Sequence, residues 1–456
     1  MAAVSNHSKL QLDISDRQIL KIAFPICFAL LVPQLNFITN TIFQGMLGTR
    51  ELGSAGITNV YYLIFAVIGY GLNNGLQSLI SRRAGENRID EIGKIFSQGI
   101  YVSFLIAMIG IAITYTITPY IFKLVLPNMA EYHRDISYLH IRIWGLPFLY
   151  IYQMRNALLI GTNNSKFLVW GTLAETVTNI FFDYSLILGH FGMPKLGFNG
   201  AAYASIIAEF IGMMVVFLII NKKGISKRFA LFSDFRINWP MMRLILVQSS
   251  PLILQFAISL IAWEYFYILI SRFGDQYDHM ALAVSNTMRN IFGLFGVFVW
   301  AFAATTNTMV SNIIGQGKQD KVLYLVKRIL RLAVGFTLIL CILLNLFPKE
   351  FLMIFNRSDE FIADGIMPVR IVACALVLMA LANTWLNAVT GTGNTKVNLI
   401  IEMFAVTAYS IYVYLVLEKW HLSINWGWAS EIIYWICIFI PSFFYMQSGK
   451  WKNKVV

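Results

Sequence analysis

Apolar stretches long enough to cross a lipid hydrocarbon core recur along the chain about every 35 to 40 residues, and a helix needs roughly 20 mostly apolar residues for the crossing. Twelve spans are expected, starting near Arg17, Leu52, Ile92, Tyr132, Phe167, Gly197, Met241, Gln276, Val322, Phe361, Val397 and Asn425. Ser15 followed by Gln18 reads as a capping box at the start of the first. The polar, mixed-charge stretch before it is unlike a cleavable leader, so the first span is expected to be retained. The fold class is therefore an all-α polytopic membrane protein. No interval between spans reaches the roughly 50 residues of a small catalytic or nucleic-acid-binding domain.

Composition agrees with the pattern: 58% of the 456 residues are hydrophobic and 13% charged, with a mean hydropathy of +0.66. The formal charge of +12 raises a nucleic-acid partner only until the basic residues are placed. Most fall in the N-terminal segment, the even-to-odd loops and the C-terminal tail, among them Arg82, Arg83 and Arg88, then Lys222, Lys223, Lys227 and Arg228, then Lys318 and Lys321. That asymmetry is the positive-inside rule, which puts both termini in the cytoplasm and leaves no nucleic-acid reading. The four cysteines stand singly on apolar stretches, and no metal-ligand spacing or phosphate-binding loop is present, so no cofactor is expected.

The strings GTNNSK at 161–166 and GTGNTK at 391–396 reveal a duplication. Pro25 with Pro251, Gly48 with Gly274, Arg142 with Arg370 and Gly85 with Gly315 repeat at nearly the same offset. Six spans per repeat is an even number, so the repeats are parallel, as in many secondary transporters. The expected organisation is an N-terminal lobe at 1–221, a basic linker at 222–240 and a C-terminal lobe at 241–456. Prolines 25 and 33 in the first span, 147 in the fourth and 251 in the seventh permit bends.

Ionisable groups inside spans are costly and mark function by default. Glu175, Asp183, Glu209, Glu264, Glu402 and Glu431 are such acids. Glu175, Asn179 and Asp183 are spaced i, i+4, i+8, within about 80° of one helical face. The stripe reads either as a cation site or as a static hydrogen-bonded network, with Arg142 or Arg155 as partners. Glu264 lies among Trp263, Tyr265, Phe266 and Tyr267, a setting for a proton or a flat organic cation. The structural alternative pairs it with Arg289.

The segments PICFALLVPQLNFITNTIFQGMLGT at 25–49, GLNNGLQSLISRRAGE at 71–86, NIFFDYSLILGHFGMPKLGFNGAAYAS at 179–205, and GTGNTK resemble the multidrug and toxic compound extrusion (MATE) family over essentially the full length. The resemblance implies twelve helices in two lobes and export of organic, often cationic or aromatic, compounds against protons or sodium ions. It implies a cation site at Asn179 and Asp183, completed by Tyr138 and Ser205. Asn40, before Thr41, stands where many bacterial members carry an aspartate, and Asn383 and Asn387 occupy the tenth span where some sodium-coupled members carry one. Glu264 lines up with a seventh-span glutamate of eukaryotic-like members. These departures favour protons over a sodium ion at Asp183. Partners expected are small organic substrates and membrane lipid, and the chain is expected to be a monomer. A thousandfold substrate gradient costs about 4.1 kcal/mol, and acids in both lobes would permit two ions per cycle. The rival is a flippase for lipid-linked oligosaccharides, which would need a cationic cleft. Arg142, Arg155, Arg289 and Arg370 are its candidates. An intramembrane enzyme would need paired catalytic groups that are not found.

Overall fold

The computed structural model describes residues 10–126, 128–233 and 236–454, without the side chains of residues 35–38, 41, 49, 52 and 125. Thr41, beside Asn40, thus lies outside the described side chains. The described residues form helices and turns with no strand. In chain order the helices are α1 (Asp16–Gly45), α2 (Thr49–Gly85), α3 (Ile89–Thr116), α4 (Thr118–Val125), α5 (Met129–Arg142), α6 (Leu146–Gly161), α7 (Leu168–Leu188), α8 (Phe198–Lys222), α9 (Ile225–Arg228), α10 (Trp239–Gln276), α11 (Ala281–Gly315), α12 (Val322–Leu346), α13 (Pro348–Met353), α14 (Asp359–Thr392), α15 (Thr395–Val413) and α16 (Ile424–Gln447). Each expected span has its helix, with α5 and α6 together making the fourth. Helices α4, α9 and α13 are short connectors.

Among the described residues nine helices are long and apolar enough to cross a membrane on those criteria alone. The first, fourth and fifth expected spans fall outside that set: in the first, the side chains of residues 35–38 and 41 lie outside those described, and the other two fall outside for physical reasons. A 3-10 turn at Ile143–Gly145, just before Pro147, interrupts the fourth. Glu175, Asn179 and Asp183 dilute the apolar character of α7.

Local chemistry sets the helix ends. The Ser15 hydroxyl accepts from the Gln18 amide at 3.2 Å, the cap expected from the sequence. Asn128 caps α5 through Ala130 N, and Ser358 caps α14 through Phe361 N. Gly189 and Gly393 end α7 and α14 at φ of 80° and 89°, a backbone that glycine adopts without a Cβ clash.

The structure divides into two compact units, Phe28–Ile253 and the described part of Met1–Cys27 with Leu254–Val456. Both divisions fall inside a helix just beyond one of the matched prolines, Pro25 in α1 and Pro251 in α10. The segment 222–240, expected as a linker, carries α9 and lies within the first unit.

In that unit Gly71 and Gly75 let α2 lie directly on α10. A Cβ on Gly71 would come within 2.7 Å of Ile253 backbone, and one on Gly75 within 2.2 Å of the Ser249 hydroxyl. Glycine four residues from glycine is how membrane helices, which gain little from the hydrophobic effect in lipid, approach closely enough to pack. Gly200 does the same for α8 against the Leu186 carbonyl of α7, at 2.6 Å.

In the other unit the N-terminal segment is strapped to α11 and α12. Asn312 is fully buried, accepts from Leu12 N and donates to the Leu10 carbonyl, both at 3.0 Å. Gln316 donates to the Leu12 carbonyl at 3.0 Å. Asp16 pairs with Arg328 at 2.5 Å and Arg331 at 3.3 Å. The Arg328 guanidinium, aided by Arg331, holds the Asp16 carboxyl below the usual carboxylate range. A depressed carboxyl contributes stability above its unfolded pKa of about 3.9 and loses it as pH falls through the folded value. Asp16→Asn at neutral pH, or acidification of the wild type below about pH 4, should therefore raise amide exchange at residues 10–14. Protection within α11 should stay unchanged.

Candidate cation-binding site

The fifth span buries Asp183 without a hydrogen-bond partner among the described residues. Asp183 is 0% and Asn179 1% exposed. Among the described residues, neither carboxylate oxygen of Asp183 and neither end of the Asn179 amide has a hydrogen-bond partner. The alternative in which the stripe is a static network does not describe these two residues. Tyr138 on α5 is buried, packs its ring 4.6 Å from Phe198 at the start of α8, and lies within electrostatic reach of Asp183. On α1 the oxygen of Asn40 is buried without a partner, and Gln44, one turn on, sits beside the Tyr138 hydroxyl. Phe43 between them packs on Tyr184, the neighbour of Asp183, with ring centroids 6.4 Å apart. Ser205 is half-buried on α8 and makes no hydrogen bond to Asp183 or Asn179.

Glu175 is half-buried and lies against Gly212, where a Cβ would come within 2.9 Å of its own Cβ. The two arginines of the fourth span are occupied elsewhere. Arg142 donates two bonds to Glu209, at 3.0 and 2.5 Å, and its guanidinium lies 3.7 Å over the Tyr62 ring. The Tyr62 hydroxyl donates to the same carboxylate at 3.4 Å. Arg155, fully buried, donates to the Gly212 and Met213 carbonyls at 3.0 and 3.4 Å and stacks on Tyr152.

In the second unit, Glu264 is half-buried and Trp263 packs on Tyr267, Phe292 and Trp428. Tyr267 donates to the Ser285 carbonyl at 3.0 Å, and Arg289 lies 5.0 Å over its ring. Among the described residues no ion pair joins Glu264 to Arg289. Asn387 donates to the Asn383 carbonyl at 3.0 Å, and the Asn383 amide nitrogen is buried without a partner. The acid most fully answered is Glu402, which accepts from Ser259, from Tyr434 at 2.5 Å and from Gln255 at 3.3 Å. Glu431 accepts from Trp435 at 3.1 Å. Among the described residues no three His, Cys, Asp or Glu side chains converge as a metal site.

The MatE family model matches the chain twice, over residues 25–185 and 251–415, which also bears out the duplication. The chain belongs to the MATE family of transporters. The probable multidrug resistance protein NorM of Thermotoga maritima is 23% identical, covering 96% of this chain and 94% of its own. The probable multidrug resistance protein YoeA of Bacillus subtilis is 22% identical, covering 80% and 79%. Among solved structures, a MOP superfamily transporter from Pyrococcus furiosus superposes with a TM-score of 0.85 at 18% identity, covering 98% of each chain. An outward-facing multidrug resistance MATE transporter of the MOP superfamily gives 0.83 at 18%, covering 96% of each. The chain is thus an all-helical, multi-pass membrane protein of the twelve-span MATE architecture, a transporter and not an enzyme.

Within this MATE transporter, sequence reasoning overlooked Glu209 and Tyr62 as partners of Arg142, Gln44 beside Tyr138, and the donors around Glu402. The signal for the first was Gly145. A Cβ there would come within 2.3 Å of both Arg142 Nη1 and Glu209 Oε2, so the ion pair exists because residue 145 has no side chain. Gly145→Ala should break the pair and lower stability by on the order of 3 kcal/mol, read as a fall in melting temperature in detergent. Gly53→Ala, at a helical position with nothing within 4 Å, should be neutral or stabilising by up to about 1 kcal/mol.

Proposed function

We propose that the chain is a secondary active antiporter that exports organic, often cationic or aromatic, compounds in exchange for protons or sodium ions by alternating access between two lobes. The observation that carries this reading is Asp183, a carboxylate wholly removed from solvent with both oxygens unpartnered among the described residues. Taking an ionised carboxylate out of water costs several kcal/mol even after relaxation, so such a group takes up a proton or a cation, or waits for one. Asn179, one turn before it on the same helix, and Tyr138 supply neutral oxygens near it, the kind of donor set that a proton or alkali cation accepts. The names of the curated relatives, multidrug resistance proteins, support the cargo class. The concentration of basic residues on one side supports a cell-membrane protein with cytoplasmic termini.

The flippase reading needs guanidinium groups free to receive a pyrophosphate. Arg142 and Arg155 are spent on Glu209 and on backbone carbonyls, which tells against it. The Pyrococcus furiosus structure is described as having a binding pocket of reversed polarity that suggests a different function for that protein. A basic cleft here would be the mark of the same departure.

The test is efflux of a flat aromatic cation, ethidium, from proteoliposomes with separately imposed proton and sodium gradients. Asp183→Asn should abolish ion-driven efflux while the protein elutes at the wild-type position in size exclusion. Undiminished efflux by the variant would remove Asp183 from the mechanism.

A further inference from the structure

Glu402 on α15 is 1% exposed and is held by neutral groups alone among the described residues. Its Oε1 accepts from the Ser259 and Tyr434 hydroxyls, each at 2.5 Å, and its Oε2 accepts from the Gln255 amide at 3.3 Å. Gln255 and Ser259 lie on α10, four and eight residues past Pro251, and Tyr434 lies on α16, so one carboxyl joins three helices. A hydroxyl has one hydrogen to give, yet Ser259 Oγ also lies 2.9 Å from the Gln255 carbonyl of its own helix, in donor geometry. The Ser259 hydroxyl therefore has two acceptors and serves one at a time.

That choice gives the cluster two complete hydrogen-bond arrangements. With Glu402 ionised, Ser259, Tyr434 and the Gln255 amide all donate to the carboxylate, and the Gln255 carbonyl keeps the helical bond from the Ser259 N–H. With a proton on Oε1, the new O–H donates to Ser259 Oγ, the Ser259 hydroxyl turns to the Gln255 carbonyl, and Tyr434 goes on donating to Oε1. No polar atom of the cluster loses its partner in either state. An acid that takes up and gives back a proton inside hydrocarbon needs this property, because an unpartnered group in one state would tie it to the other. Glu209 lacks it: the Arg142 guanidinium gives hydrogens and accepts none.

Among the described residues no lysine or arginine pairs with Glu402. On α16 the titratable neighbours are Tyr434 itself and, three residues before it, Glu431, which accepts from Trp435 at 3.1 Å. Tyr409 of α15 has its ring 5.7 Å from that of Tyr434. On α10 Glu264, half-buried, lies five residues beyond Ser259, and on α14, which packs against α15 and α16, the charged and thiol side chains are all exposed. We propose that Glu402, with Ser259 as a reorienting hydroxyl, is a proton-binding site of the second unit. The bound proton turns charge-assisted bonds to α10 into neutral ones, about half as strong, and so weakens the hold on that helix just past Pro251. The proposal is independent of the reading of Asp183 and names a second place for a proton.

The test is infrared difference spectroscopy of the purified full-length protein in detergent, stepped between about pH 9 and pH 5, which reads the C=O stretch of a protonated carboxyl and requires no knowledge of the cargo. Wild type should gain such a band reversibly on acidification. Glu402→Gln should lack it, and Asp183→Asn should keep it. Ser259→Ala takes a charge-assisted bond from the ionised form, the stronger of the two bonds lost, so the band should be half-formed at about tenfold lower proton concentration. Ser259→Thr should restore the wild-type midpoint. Tyr434→Phe, which removes another donor to the carboxylate, should move the midpoint in the same direction and identifies the band even where Glu402→Gln does not fold. A Glu402-dependent band of constant height at every pH, or none at any pH, makes Glu402 a fixed acid and overturns the proposal. A titrating band that Ser259→Ala leaves at the wild-type midpoint overturns the part given to Ser259.

Discussion

A carboxylate withdrawn from water has to be met by a cation, by hydrogen-bond donors or by a proton, and the acids of this transporter divide by which of these they receive. Glu209 receives Arg142 and the Tyr62 hydroxyl. Glu402 receives Ser259, Tyr434 and Gln255 without any positive charge. Asp183 receives no hydrogen bond among the described residues. Hydrocarbon offers no water to make up the difference, so the first two are held in place, and the proposed function assigns the third to an ion from outside. The difference between the paired acids and Asp183 is thus one of supply, set by which helices bring donors to which depth.

The supply depends in turn on how closely the helices pack. Lipid gives apolar helices little reason to associate, and small residues decide where backbones meet. Gly71 and Gly75 seat α2 on α10, Gly200 seats α8 on α7, and Gly212 lies against Glu175. The break at Ile143–Gly145 gives Arg142 room to reach Glu209 on α8. The two lead helices share another device, since both unit boundaries lie just past Pro25 and Pro251. A proline withholds one backbone hydrogen bond and leaves a point where a long helix can change its company.

Much of the architecture was legible because membrane spans are written in composition. The twelve expected starts lie close to helix starts, and the Ser15 cap is made as its spacing suggests. The stripe of Glu175, Asn179 and Asp183 could be placed on one face because helical periodicity is local arithmetic. Pair choices were not legible. Arg142 and Glu209 are 67 residues apart, and Ser259 and Glu402 are 143 apart, so no spacing rule joins them. The alternative that paired Glu264 with Arg289 is not made among the described residues, and that guanidinium lies over Tyr267.

Sequence alone thus determined what depends on neighbours in the chain or on internal repetition: the spans, the helix caps, the duplication, the family and the short inventory of buried acids. Tertiary structure decided the state of each acid, because hydrogen bonds and ion pairs are contests among all groups within a few ångströms, and those groups come from distant parts of the chain. It also decided that Arg142 belongs to Glu209, a pairing that turns on the missing Cβ of Gly145 and on the hydroxyl of Tyr62. The chemistry of the cation site therefore resides in the packing of α2, α5, α7 and α8, while the residues that make it possible were visible from the start.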